Sequence, residues 1–158
     1  MSKPASPPEG IGLLSPHLVC AGAAEAIEFY KRAFDAVEMM RLPGENGKLM
    51  HASVLINGAS VMLVDEAPAH GMLGPKSLKG TPVSLHLKVA DVDKAFAQAV
   101  AAGATVIMPV ADMFWGDRYG QIEDPFGHRW SLATPKKNLS QAEIGAASRA
   151  AMPGYVKA

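Results

Sequence analysis

The sequence predicts an α+β protein built from two tandem βαβββ modules, and three observations support this. First, the two halves match at one offset. His17 and His86 lie 69 residues apart, as do Gly58 and Gly127, and the same spacing relates Ser15 to Ser84, Leu18 to Leu87, Ala26 to Ala95, Val37 to Val106 and Leu63 to Leu132. Second, in each half the apolar period changes from two, to the helical 3.6, and back to two. Third, each half holds a hairpin turn before its last strand. Asn57-Gly58 is the strongest short hairpin signal. Asp124-Pro125-Phe126-Gly127 suits a type I or II turn, with Pro fixing φ at the second position and Gly free to take positive φ.

Taken in order, Leu13 to Ala21 reads as a strand with Leu14, Leu18 and Cys20 on one face and Ser15, His17 and Val19 on the other; Pro16 places it at an edge or at a strand start. Gly22 ends it. Ala23 to Phe34 is a helix with Ala23, Ala26, Ile27, Tyr30 and Phe34 as its apolar stripe. Glu28 and Arg32 stand at the i,i+4 spacing of an ion pair worth about 0.2–0.5 kcal/mol. Strands follow over Val37 to Leu42, Lys48 to Ile56 and Ala59 to Asp65, with a turn over Pro43 to Gly47. The second half repeats this: a strand over Val83 to Ala90, a helix over Val92 to Ala102, a strand over Thr105 to Met108, a loop over Pro109 to Gly116 and the closing hairpin. Asp91 caps that helix, Phe96, Ala99 and Val100 form its core stripe, and Gly103 suits its left-handed end. Trp130 and Leu132 face the core, alternating with Arg129, Ser131 and Ala133. Ser140 and Glu143 form a capping box for a short helix to about Ala151, which either covers an edge or a neighbouring subunit or frays.

The expected organisation is a disordered tail over 1–12, a first module over 13–66, a linker over 67–82, a second module over 83–135 and a C-terminal extension over 136–158. With 49% apolar side chains, 158 residues fill a core, and fifteen basic against fifteen acidic residues favour neither nucleic acid nor an anionic membrane. The apolar run Ala95 to Ala111 is broken by Gln98, Gly103 and Pro109, so no membrane span is expected, and Met1 to Gly10 lacks the apolar run of a signal peptide. The single cysteine, Cys20, is expected to be inert against the first helix; these features together predict a cytoplasmic location.

Gly22 to Tyr30 (Gly-Ala-Ala-Glu-Ala-Ile-Glu-Phe-Tyr), Trp115 to Tyr119 (Trp-Gly-Asp-Arg-Tyr) and Asp124 to Trp130 (Asp-Pro-Phe-Gly-His-Arg-Trp) resemble the vicinal oxygen chelate superfamily, in particular its PhnB-like branch. This superfamily includes glyoxalase I, bleomycin-resistance proteins and extradiol dioxygenases. The resemblance covers Leu13 to Pro135. It implies a curved mixed sheet around a concave ligand site, and a homodimer, with the modules pairing within or between chains. Metal enzymes of this superfamily take His and Glu ligands from the first and last strands of each module. The corresponding positions here are Ser15, Ser84, Met62 and Ser131, none a good ligand for a divalent metal. The resemblance therefore implies a metal-independent protein, with no cofactor, that binds a small organic ligand. In the alternative, a metal-dependent lyase or dioxygenase has displaced ligands: His17 and His86 lie on the same strand faces about 6.6 Å further along, with Glu66 or Glu123 as the carboxylate. A third reading is a partner-binding protein whose concavity is filled by Met62 and Trp115.

The expected substrate-binding residues are His17, His86, Met62, Trp115, Arg118 and Tyr119, with no catalytic or metal-binding residue assigned. Trp115, Arg118 and Tyr119 put an aromatic face, a guanidinium and a phenol on one loop, a set that stacks flat ligands and pairs anionic ones. Alternatively Arg118 pairs with Asp117 and Trp115 plugs the loop. His128 is expected on the solvent side and Arg129 at the cavity mouth. Met39, Met40, Met50 and Met72 are expected to fill the core, and Met62 to line an adaptable pocket.

Overall fold

The structure, a computed structural model, describes residue 12 and residues 14–152. The disordered tail, Gly12 aside, and Leu13 of the first strand lie outside the described residues. The first half forms β1 (His17–Cys20), α1 (Ala23–Phe34), β2 (Val37–Pro43), β3 (Leu49–Ile56) and β4 (Ala59–Asp65). The segment expected as a linker holds a one-turn helix, α2 (Pro75–Leu78). The second half forms β5 (Ser84–Lys88), α3 (Val92–Ala102), β6 (Thr105–Asp112), β7 (Asp117–Glu123) and β8 (Arg129–Pro135), and α4 (Gln141–Ala151) follows with its capping box in place. The strands make two four-stranded sheets of the same topology, β1-β4-β3-β2 and β5-β8-β7-β6, with the first strand of each parallel to the last. This is the tandem βαβββ arrangement.

Register refines the repeat. His17 stands opposite Met62 and His86 opposite Ser131, which keeps the 69-residue offset for the first and last strands. Met62 stands opposite Ser53 but Ser131 opposite Gln121, so β3 and β7 correspond at 68 residues. The same shift makes Thr105, not Val106, the partner of Val37. The cause is a pair of cancelling changes. α3 has 11 residues where α1 has 12, and the second hairpin turns through three residues, closed by Asp124 N–H to His128 O, where the first turns through Asn57-Gly58. Both residues of that shorter turn have positive φ, 48° and 80°, as a hairpin of two residues requires.

Other differences have local reasons. β6 runs on through Pro109 instead of stopping at Met108, because it is an edge strand and its pairing is irregular there, so the missing N–H costs no ladder bond. Glu28 pairs with Lys31 and Arg41 rather than Arg32. Met39, Met40 and Met50 are exposed, not core; the first two lie on β2, which has a neighbour on one side only. Val100, expected in the α3 stripe, is also exposed.

The core is continuous across both modules, which therefore pair within the chain. Tyr30 and Phe34 of α1 pack on Trp130 of β8 at 5.4 and 4.7 Å between ring centres. At the same junction Asp124, 3% exposed, accepts hydrogen bonds from Tyr30 Oη (2.6 Å), Trp130 Nε1 (3.0 Å) and the backbone N–H groups of Phe126 and His128. A buried carboxylate with four donors is satisfied where a bare one would be prohibitive.

Candidate ligand-binding faces

Leu18, Leu63, Ala52 and Val54 are buried beneath α1, so strand alternation turns His17, Met62, His51 and Ser53 to the other, inner face of the first sheet. There the His17 and His51 rings meet edge to face at 5.6 Å. Burial, and then the neighbouring His51, hold His17 below the ordinary histidine range, which favours neutral imidazole. Ser53 is buried and its Oγ has no hydrogen-bond partner among the described residues.

The equivalent face of the second sheet is aromatic and polar. His86 Nδ1 and Ser131 Oγ share a hydrogen bond of 2.8 Å. The His86 ring stacks on Tyr119 with centres 6.2 Å apart and planes 22° apart. Gln121 Nε2 donates to Tyr119 Oη at 2.7 Å, and Trp115 meets Tyr119 edge-on at 5.4 Å. Trp115 is itself held by Nε1 donating to Asp117 Oδ2 at 3.1 Å. His86, Tyr119 and Trp115 are thus brought together, with Gln121 and Ser131 orienting them.

Arg118 is not among them. Alternation along β7 puts it on the face opposite Tyr119, where it donates to both Asp93 oxygens of α3 at 2.7 Å and to Asp112 at 3.0 Å. The expected Asp117–Arg118 pair is replaced by these contacts. His128 is also corrected: it is 9% exposed, with Nε2 3.1 Å from Val19 O and 3.8 Å from Cys20 Sγ. Three-residue turn geometry, invisible in an Asp-Pro-Phe-Gly motif, folds it back onto β1. Cys20 is fully buried and its thiol is pushed far up by burial, so it is inert. His51 and Gln121 were not foreseen; the signal was their alternation with Ala52 and Ile122, which marks the inner face of β3 and β7.

β1 and β5 are edge strands of their sheets, and the seam between them is marked by two cavities lined from both sides. At one end of this seam lies a cavity of about 360 Å³, lined by Pro16, Val19, Leu73, Leu78, Leu85 and Arg129 among others, with His17 at its side. Arg129 is part of its lining. His86 lines a smaller cavity at the other end.

Residues 12–132 match the model of the Glyoxalase/Bleomycin resistance protein/Dioxygenase superfamily. The chain belongs to this superfamily. The uncharacterized protein Rv0887c of Mycobacterium tuberculosis is 54% identical over 137 residues, which span 85% of this chain and 81% of that protein. A solved gene product of Arabidopsis thaliana superposes with a TM-score of 0.65 at 28% identity, covering 78% of this chain and 98% of that one. A PhnB protein from Bacillus cereus, described as a putative 3-demethylubiquinone-9 3-methyltransferase, gives a TM-score of 0.63 at 21% identity, with 78% and 99% covered, and so shares the fold.

The four positions at which superfamily metal enzymes carry ligands do not fit a divalent metal here. Ser15 Oγ is hydrogen-bonded to Ser60 Oγ, Ser131 Oγ is taken by His86, Ser84 is a hydroxyl, and Met62 offers only a thioether. Nor do the displaced carboxylates help: Glu66 Oε1 accepts from Gly74 N–H at 2.6 Å, and Glu123 lies 3.8 Å from Arg129. Among the described residues, no three His, Cys, Asp or Glu side chains stand close enough to share an ion. Among the described residues, no helix is long and apolar enough to cross a membrane.

Proposed function

We propose that this protein binds a small, flat organic molecule in the concavity between its modules, without a metal, using the inner face of the second module as the main wall. The observation that supports this reading is the oriented set His86, Tyr119 and Trp115. Stacked rings held by Ser131, Gln121 and Asp117 present a large apolar surface whose rotamers are already restricted, which lowers the entropic cost of binding. His17 and Met62 supply the first module's share of the site. Arg118, occupied by two carboxylates on the far face, takes no part. A metal-dependent lyase or dioxygenase would need a third donor that His17 and His86 lack.

The protein acts as a cytoplasmic homodimer in this reading. The edge strands leave Val37, Leu42, Val106 and Ile107 between 42% and 59% exposed, apolar surface of the kind a second copy covers. Light scattering tests this, and a monomer at all concentrations contradicts it. For the ligand site, chelator-treated protein titrated calorimetrically with planar phenols such as 7-hydroxyflavone is expected to bind one per chain. Tyr119→Ala should weaken binding about tenfold, the worth of a stacking contact. Binding that requires added metal contradicts the reading.

A further inference from the structure

The seam cavity has a chemistry different from that of the aromatic wall. We propose that it is a second binding site, sharing His17 with the flat-ligand site, for a small amphipathic carboxylate, with the apolar chain between β1, β5 and α2 and the acid against Arg129. Its walls are mainly apolar, with Val19, Leu73, Pro75 and Leu85 beside the polar His17, Thr81 and His128. At its rim Leu78 and Val83 are 61% and 60% exposed, apolar surface that an occupant would remove from water. Its volume of about 360 Å³ lies in the range of small-ligand pockets.

The wall formed by α2 is fixed in place. Gly74 N–H donates to Glu66 Oε1, and the Gly74 backbone lies so close to Val19 that an added Cβ would sit 2.7 Å from the Val19 carbonyl oxygen. The segment joining the modules is therefore built against β1 as a side of the cavity. Charge selects the class of occupant. Among the described residues, Arg129 is the one Lys, Arg, Asp or Glu side chain lining the cavity. Its nearest carboxylate, on Glu123, is 3.8 Å from Nε, beyond hydrogen-bond length, so the guanidinium keeps donors for a ligand acid. His128 Nε2 is engaged by the Val19 carbonyl and does not compete.

The site goes beyond the aromatic wall, and its test separates the two. The full-length chain is titrated by calorimetry with decanoate and with its neutral counterpart decan-1-ol, both below their aggregation concentrations. Decanoate is expected to bind one per chain and more tightly than the alcohol. Arg129→Gln should weaken decanoate about tenfold and leave decan-1-ol unchanged, the loss of one charge-assisted pair. Leu78→Glu, at an exposed position that leaves folding intact, should weaken decanoate by at least as much, and Tyr119→Ala should change neither. Absence of decanoate binding, or equal affinity in wild type and Arg129→Gln, overturns the proposal. So does a Leu78→Glu variant that changes the association state of the chain while decanoate affinity stays the same, because the rim would then be a contact between copies.

Discussion

α1 and α3 occupy equivalent places in the two modules, yet α1 buries seven of its 12 residues and α3 only Val92 and Ala99 of its 11. The difference extends to the helix starts. Asp65, at the end of β4, accepts from the backbone of Gly22, Ala23 and Leu49, while its counterpart Thr134 accepts from Val92 alone. The inner faces diverge in the opposite sense: His51, Ser53 and Met62 in the first module stand where the second has Tyr119, Gln121 and Ser131. One backbone frame has been filled twice, once for core packing and once for a polar aromatic surface. Duplication permits this, because register fixes which positions face inward but not what chemistry they carry.

The largest test of this division lies at the junction. Asp124→Ala strips the acceptor from four buried donors and should cost about 3–5 kcal/mol, read by denaturant unfolding. A loss under 1 kcal/mol would mean that the modules are not coupled there. Next, Asp65→Ala should cost about 2–3 kcal/mol and Thr134→Val about 1 kcal/mol, since three N–H groups lose a charged acceptor in one case and a single N–H loses a neutral one in the other. Equal costs would erase the asymmetry. Arg118→Ala should change stability little, because its carboxylate partners are largely exposed, and should leave 7-hydroxyflavone affinity unchanged.

The smallest effect is at the surface of the first module. Arg41, then Lys31, hold the Glu38 carboxyl down at about 2. A folded pKa below the unfolded value adds stability that is fully present above the ordinary glutamate value of 4.5 and is lost as the pH falls through about 2. Glu38 is 25% exposed, so Glu38→Gln should lower Tm at pH 7 by about 1–2 °C and leave it unchanged near pH 2. A shift of the same size at both values would assign the effect to packing.

Much of the frame was legible in the residues. The helices are bounded by Gly22 and Asp91, the Asn57-Gly58 turn dictates its hairpin, and Leu18, Leu63, Leu87 and Leu132 place the cross-strand pairs. The compensated one-residue shift was hidden because residues on both sides of it keep the 69-residue spacing. Among the site residues, His17, Met62 and His86 were placed on the inward faces by alternation. Arg118 was misplaced because Trp115 to Tyr119 was read as one loop, whereas Asp117 already begins a strand and adjacent residues there point to opposite faces. His51 and Gln121 were legible in principle, since each alternates with a buried neighbour, Ala52 or Ile122, on its own strand.

His51 and Tyr119 occupy equivalent positions, so exchanging each for alanine asks the two faces the same question. Calorimetric titration of chelator-treated His51→Ala and Tyr119→Ala with 7-hydroxyflavone is the most direct measurement. Tyr119→Ala should bind about tenfold more weakly than the wild type and His51→Ala within about threefold of it. The reverse order, or a loss of similar size in both, would contradict the assignment of recognition to the second module.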